Sequence, residues 1–153
     1  MSPLKGVVML FASRPLCIKR LLVIEDDPLV AFDNERTLLH GGYEVIATVD
    51  SGEAAVPLMA SEAIDALVLD LTLAGDMTGR DVARLARDRG IAVLLVTGAP
   101  PEDASEIALA CLAKPHSASA LVSALKAVET MICQQKTPRK VSGLATYWRP
   151  EAA

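Results

Sequence analysis

The chain has 153 residues, of which 52% are hydrophobic and only 3% aromatic, and a formal net charge of −4. That length fits one domain with short extensions around an aliphatic core. An acidic chain whose nearest basic stretch is Lys136 to Lys140, a solvated tail segment, lacks the electrostatic footprint of a nucleic-acid binder.

Residues 1–18 read as an N-terminal extension of uncertain structure. Lys5 followed by Gly6 to Ala12 has a faint likeness to a signal peptide, but the apolar core is at the short limit and Arg14 and Lys19 follow soon after. No apolar run approaches a membrane span of about 20 residues. Arg20 to Glu25 is the first expected strand. Asp27-Pro28 then starts a helix, with Asp27 as N-cap and Pro28 in the first helical position. Leu29, Phe32 and Leu39 share one face of that helix, and Gly41-Gly42 ends it. Tyr43 to Val49 is the second strand. Ser51 caps a second helix running to about Ala60, in which Pro57 predicts a kink or an early end.

Asp65 to Asp70 is the third strand, an apolar run that ends on a carboxylate. Residues 71–78 form a loop, and Gly79 opens a third helix with Val82, Leu85 and Ala86 as its buried stripe and Gly90 as its stop. Ile91 to Val96 is the fourth strand, followed by a loop at Gly98 to Pro101 and a short helix from Glu102 to about Leu109. Ala110 to Ala113 is a weak fifth strand running into Lys114-Pro115. Ser117 caps the last helix, whose apolar face is Leu121, Leu125, Val128 and Ile132. Residues 134–153 read as a flexible polar tail.

Strands alternating with helices imply an α/β fold: a five-stranded parallel sheet with right-handed crossovers and helices on both faces. In such a sheet, ligands bind beyond the carboxyl ends of the strands, at the switch point in strand order. The residues with chemistry stand at such ends: Glu25-Asp26 after the first strand, Asp70 after the third, Thr97 after the fourth and Lys114 after the fifth. In the flavodoxin-like order 2-1-3-4-5, Asp26 and Asp70 face each other across neighbouring strands. Carboxylates this close repel, and a divalent cation resolves the repulsion; oxygen ligands with room for water favour Mg²⁺, with Mn²⁺ as a substitute. Asp70 beside such a metal is a competent nucleophile toward phosphorus. Lys114 supplies a cation and Thr97 a hydroxyl for the charge of a transferring phosphoryl group.

With Glu25-Asp26-Asp27, Asp70, Thr97 in Val-Thr-Gly and Lys114-Pro115 in this order, the chain resembles a receiver domain of a bacterial two-component response regulator, stand-alone and chemotaxis-regulator-like, over residues 19–133. The resemblance implies that Asp70 is the phosphoacceptor. It implies that Glu25, Asp26 and Asp70 hold Mg²⁺ together with the backbone carbonyl of Thr72, and that Thr97 and Lys114 contact the phosphoryl oxygens. It also implies a cis peptide at Lys114-Pro115. The phosphodonor histidine would come from a partner, a sensor histidine kinase or a histidine phosphotransferase, and His40 and His116 are read as non-catalytic.

Three features depart from the family pattern. Cys111 stands three residues before Lys114, where many receivers carry a Tyr or Phe that moves with the threonine. Thr97 and Lys114 are only 17 residues apart, which leaves little room for the fourth helix. Ala74 replaces a common proline in a loop that is a residue longer than usual. The expectation is thus a cytoplasmic single-domain response regulator, not an enzyme beyond self-phosphorylation and autodephosphorylation. The 20 residues from 134 to 153 are too few for a DNA-binding or effector domain, so output is by protein–protein contact or by acting as a phosphate shuttle or sink. The alternatives are a phosphorylation-independent pseudo-receiver and a small hydrolase of the aspartyl-phosphate kind; Thr72 stands where that hydrolase chemistry needs a second carboxylate. Cys17, Cys111 and Cys133, widely spaced and odd in number, form neither a disulfide framework nor a zinc pattern and are expected to be reduced thiols. Cys111 in a buried strand is expected to be inert rather than a redox sensor.

Overall fold

In the computed structural model, which describes residues 17–148, the elements follow in order β1 (Arg20–Ile24), α1 (Pro28–His40), β2 (Glu44–Val49), α2 (Gly52–Ser61), β3 (Ala66–Asp70), α3 (Gly79–Asp88), β4 (Ala92–Thr97), α4 (Ala104–Ile107), β5 (Ala110–Ala113), α5 (Ala118–Cys133) and β6 (Leu144–Thr146). Most of the expected N-terminal extension therefore lies outside the described residues. None of the described helices is long and apolar enough to cross a membrane.

The sheet runs β2-β1-β3-β4-β5-β6. Its first five strands are parallel, as the alternation of elements predicts, and they follow the expected flavodoxin-like order 2-1-3-4-5. β3 and β4 are buried along their whole length, which is why they read as unbroken apolar runs. Alternate residues feed two cores. Leu21, Val23, Val68, Leu94 and Leu112 face α1 and α5, packing with Leu38, Leu121, Leu125 and Val128. Leu22, Ile24, Leu67, Leu69, Val93 and Leu95 face the other side, against Ala55 and Met59 of α2, Val82, Ala83 and Ala86 of α3, and Ile107 of α4.

The helix ends follow their local chemistry. The Asp27 carboxylate accepts from the amides of Leu29 and Val30, with Pro28 in the first turn. Ser51 and Ser117 cap α2 and α5 in the same way. Thr78 and Asp81 form a reciprocal capping box at α3. α2 continues through Pro57 to Ser61, so the early end expected there does not occur. α4 is a single turn, in keeping with the short spacing between Thr97 and Lys114.

Three expectations need correction. The sheet has six strands, not five: Leu144–Thr146 pairs antiparallel with β5, so part of the tail expected to be flexible is a strand. Cys17 and Cys133 are not free thiols; they form a disulfide with Cα atoms 6.3 Å apart, and only Cys111 is free. Finally, the apolar face of α1 is not its packed face. Leu29 is 77% exposed, Phe32 56% and Leu39 50%. The residues turned inward are Ala31, Asn34 and Leu38. A small, a polar and a single large side chain fit the space between β1 and α5, and the Arg36 guanidinium covers the outward Phe32 ring at 5.7 Å.

This orientation is checked by chemical denaturation. Leu38→Ala, which empties a fully buried site, is expected to lower the unfolding free energy by about 2–5 kcal/mol. Leu29→Ala is expected to change it by less than about 0.5 kcal/mol.

Candidate functional site

The carboxyl ends of β1, β3 and β5 deliver the chemistry to one place. Val23 and Ile24 pair with Val68 and Leu69, so the residues that follow, Glu25 and Asp26 on one strand and Asp70 on the other, emerge side by side. The Glu25 amide donates to Val49 O on β2 at 2.9 Å, which fixes the exit from β1. Carboxylate oxygens of Glu25, Asp26 and Asp70 all lie within 4.8 Å of one another. Glu25 is 3% exposed and Asp70 7%, while Asp26 is open to solvent.

Lys114 reaches into this cluster from the end of β5. Its Nζ lies 3.4 Å from Asp70 Oδ2 and bonds Glu25 Oε1. The other Asp70 oxygen, Oδ1, accepts the Thr72 amide at 3.0 Å, so the first residues of the loop after β3 fold back on the carboxylate. Lys114-Pro115 is a cis peptide, as the family resemblance implies. Thr97 ends β4 one position past Val96, the partner of Asp70, and is buried. Its Oγ1 accepts the Ala99 amide at 3.2 Å, a local turn, while its hydroxyl proton is left for another acceptor. The Thr97 carbonyl accepts the Lys114 amide at 2.9 Å, which ties the two ends together.

The electrostatics are those of a crowded acidic site. Burial, and then the facing Asp70 carboxylate, push the Glu25 carboxyl from 4.5 up to about 7, against the opposing pull of Lys114. Burial acts to lower the Lys114 ammonium, but its bond to Glu25 and the charge of Asp70 outweigh this and hold it above its usual value. Three carboxyl groups facing one ammonium leave negative charge in excess once Glu25 ionises. That donor set, all oxygen and open to water at Asp26, fits a hard divalent cation such as Mg²⁺.

The loop from 71 to 78 has supports that sequence reasoning missed. The Glu53 carboxylate on α2 accepts the Met77 amide at 2.8 Å, which holds that carboxyl below its usual value. Gly75 takes φ 102° beside it, where a Cβ would come within 3.0 Å of Glu53 Oε2. Gly79 packs on the backbone of Leu71; a Cβ there would sit 2.8 Å from Leu71 Cα. The two glycines were visible signals, but nothing adjacent in sequence pointed to Glu53. Cys111, at the position of the family's aromatic, is buried under the sheet surface, and burial pushes its thiol up, which suits an inert side chain. His40 is exposed and His116 half-buried, and both are outside the cluster; His116 Nδ1 lies 3.0 Å from Ser117 O.

Comparison with known proteins gives the family and the fold. Residues 21–126 match the model of the response regulator receiver domain. The response regulator protein FleR of Pseudomonas aeruginosa is 36% identical over 110 residues, covering 67% of this chain and 23% of FleR. The transcriptional regulatory protein PdtaR of Mycobacterium tuberculosis is 29% identical over 114 residues, covering 71% of this chain and 55% of PdtaR. The chain thus spans less than two thirds of either relative. Among solved structures, a CheY-like receiver domain protein from Methanospirillum hungatei superposes with a TM-score of 0.69 at 22% identity, over 78% of this chain and 99% of that one. A Burkholderia pseudomallei response regulator, solved with a phosphorylated aspartic acid, a calcium ion and citrate, gives 0.63 at 24% identity, over 76% and 72%. These structures share the fold, and the family match over the strands that carry Glu25, Asp26, Asp70 and Thr97 through to Lys114 shows that this chain belongs to the response regulator receiver-domain family.

Proposed function

We propose that this chain takes a phosphoryl group onto Asp70 from the phosphohistidine of a histidine kinase or histidine phosphotransferase. It then signals by protein–protein contact, or passes the group on as a shuttle or sink. The observation that carries this reading is the gathering of Glu25, Asp26 and Asp70 within 4.8 Å, with Lys114 Nζ 3.4 Å from the Asp70 carboxylate. In this reading residues 19–133 are the receiver, 1–18 and 134–153 are extensions, and the chain works in the cytoplasm.

A carboxylate oxygen of Asp70 forms the new bond to phosphorus as the bond from phosphorus to the donor imidazole breaks. The electron pair stays on that imidazole nitrogen. The Thr72 amide and Lys114 orient the Asp70 carboxylate before attack. Lys114 then follows the charge onto the phosphoryl oxygens, and the Thr97 hydroxyl donates to another of them. Glu25, Asp26, Asp70 and the carbonyl of Thr72 would hold Mg²⁺, which supplies charge neutralisation at the phosphoryl oxygens when bound. Since Lys114 and Thr97 are bonded through their backbones, a pull on either side chain is felt at the ends of both β4 and β5. The exposed Leu29 and Phe32 stand in the first turns of α1, close in sequence to Asp26, and offer an apolar docking face.

Intact-mass measurement after incubation with Mg²⁺ and a small acyl phosphate is expected to show one added phosphoryl group, and none on Asp70→Asn. Equal labelling of that variant would refute Asp70 as the acceptor, and no labelling of the wild type would favour the pseudo-receiver.

Glu25 also predicts a pH dependence. Its folded value is raised, so its contribution to stability is fully present below 4.5 and is lost as pH rises through about 7 in the absence of metal. A cation must displace the same proton. Apparent Mg²⁺ affinity, measured by calorimetry, is expected to rise about tenfold from about pH 6 to about pH 8, a slope that Glu25→Gln removes.

Leu29→Ser with Phe32→Ser is expected to slow phosphotransfer from a partner protein by about tenfold or more while leaving labelling by the small acyl phosphate unchanged. Equal loss with both donors would instead mean damage to the site.

A further inference from the structure

Away from the carboxylate cluster, the fold brings a second pair of nucleophilic side chains together. Cys17, just before β1, is bridged to Cys133, the last residue of α5, across a sequence separation of 116. Cys17 is exposed and Cys133 half-buried, so an incoming thiolate can reach the bridge from the Cys17 side. The two segments of the contact also meet without the covalent bond. The buried Glu129 carboxylate, one turn earlier in α5, accepts the amides of Cys17 at 2.9 Å and Ile18 at 3.1 Å. Opening the bridge therefore leaves the two sulfurs close enough to close it again.

On its other side, Cys133 borders the turn that launches the tail. The amides of Gln134 and Lys136 both donate to Thr130 O, and Gln135 sits at φ 53° between them. From there the chain returns to lay β6 along β5. Gly143 O accepts the Ala113 amide at 2.8 Å, and the Tyr147 amide donates to Leu109 O at 2.8 Å. β6 has three residues, and Leu144 with the following Tyr147 and Trp148 only half-bury their side chains against the two cores, so its seat is lightly held and depends also on where the turn after α5 points.

We propose that the Cys17–Cys133 bridge is a reversible redox clasp that fixes the last turn of α5, and that its reduction releases β6 from the edge of β5. Closing proceeds by exchange with a low-molecular-weight disulfide. The Cys17 thiolate attacks one of its sulfurs, forming a mixed disulfide and expelling one small thiolate. The Cys133 thiolate then attacks the Cys17 sulfur and expels the second. The two protein thiols lose two electrons, which leave with the two small thiols, and the protein's two protons end in solvent or on those thiols. Opening is the reverse. Buried Cys111 takes no part. In a compartment rich in thiols, a bridge of this kind is a reporter of redox state rather than a permanent staple. Release would be felt next to the phosphoacceptor site, because Ala113, the partner of Gly143, adjoins Lys114.

Limited trypsin digestion of the full chain, oxidised and reduced, tests the clasp. Cleavage after Lys136, Arg139 and Lys140, followed by mass, is expected to be about fivefold or more faster after reduction, and to return to the oxidised rate when a glutathione disulfide buffer is restored. Cys17→Ser and Cys133→Ser are expected to cleave at the reduced rate in either buffer, and Cys111→Ser to respond like the wild type. Reduction is also expected to lower the thermal midpoint by about 10 °C or more, since the bridge closes a long loop. A fall in midpoint with unchanged tail cleavage would overturn the proposal, leaving a purely structural bridge. So would equal acceleration at Arg84 and Arg87 in α3, which would mark global unfolding. Wild type alone carries both readouts if a serine variant fails to fold.

Discussion

The mutual repulsion of Glu25, Asp26 and Asp70 is the constraint around which this molecule is arranged. Three carboxylates within 4.8 Å, two of them buried, are costly unless something opposes them. Within the chain only Lys114 reaches the cluster among the described residues, and it comes from the opposite half of the sheet. Holding these groups in contact requires a rigid platform. The platform is a sheet buried on both faces, whose β3 and β4 carry no exposed residue. The acidic site is unfavourable by itself, and the two aliphatic cores on either side keep it assembled.

Much of this was legible in the sequence because it follows from local rules. Short apolar runs such as Ala66 to Leu69, bounded by polar residues and alternating with helices, read as central strands of a covered sheet, and the flavodoxin-like strand order then places Asp26 beside Asp70. Asp27, Ser51 and Ser117 announced the helix starts through short side chains that accept amides. The cis bond before Pro115 was legible only through the family resemblance.

What escaped the sequence depends on partners far along the chain. Cys17 and Cys133 stand 116 residues apart, and no spacing rule links them. β6 lacks the length and alternation of a strand and exists only because the edge of β5 is there to receive it. Glu53 reads as an ordinary helix-surface acid until the Met77 amide is seen on it. On α1, hydrophobicity pointed to the wrong face, since Asn34 takes a core place while Leu29 and Phe32 look outward.

The single turn of α4 sets a different balance of forces on the side of the sheet beyond Thr97. Its apolar anchorage is limited to Ala104 and Ile107. Its remaining hold comes from α3, through Arg80 to Asp103 and Arg87 to the carbonyl of Glu106. Both links are polar and partly open to water, and the ion pair of Arg80 with Asp103 weakens as ionic strength rises while the aliphatic cores are untouched. The segment after the buried threonine thus rests on few apolar contacts and on polar links to one neighbouring helix, so its seat loosens without disturbing the aliphatic cores.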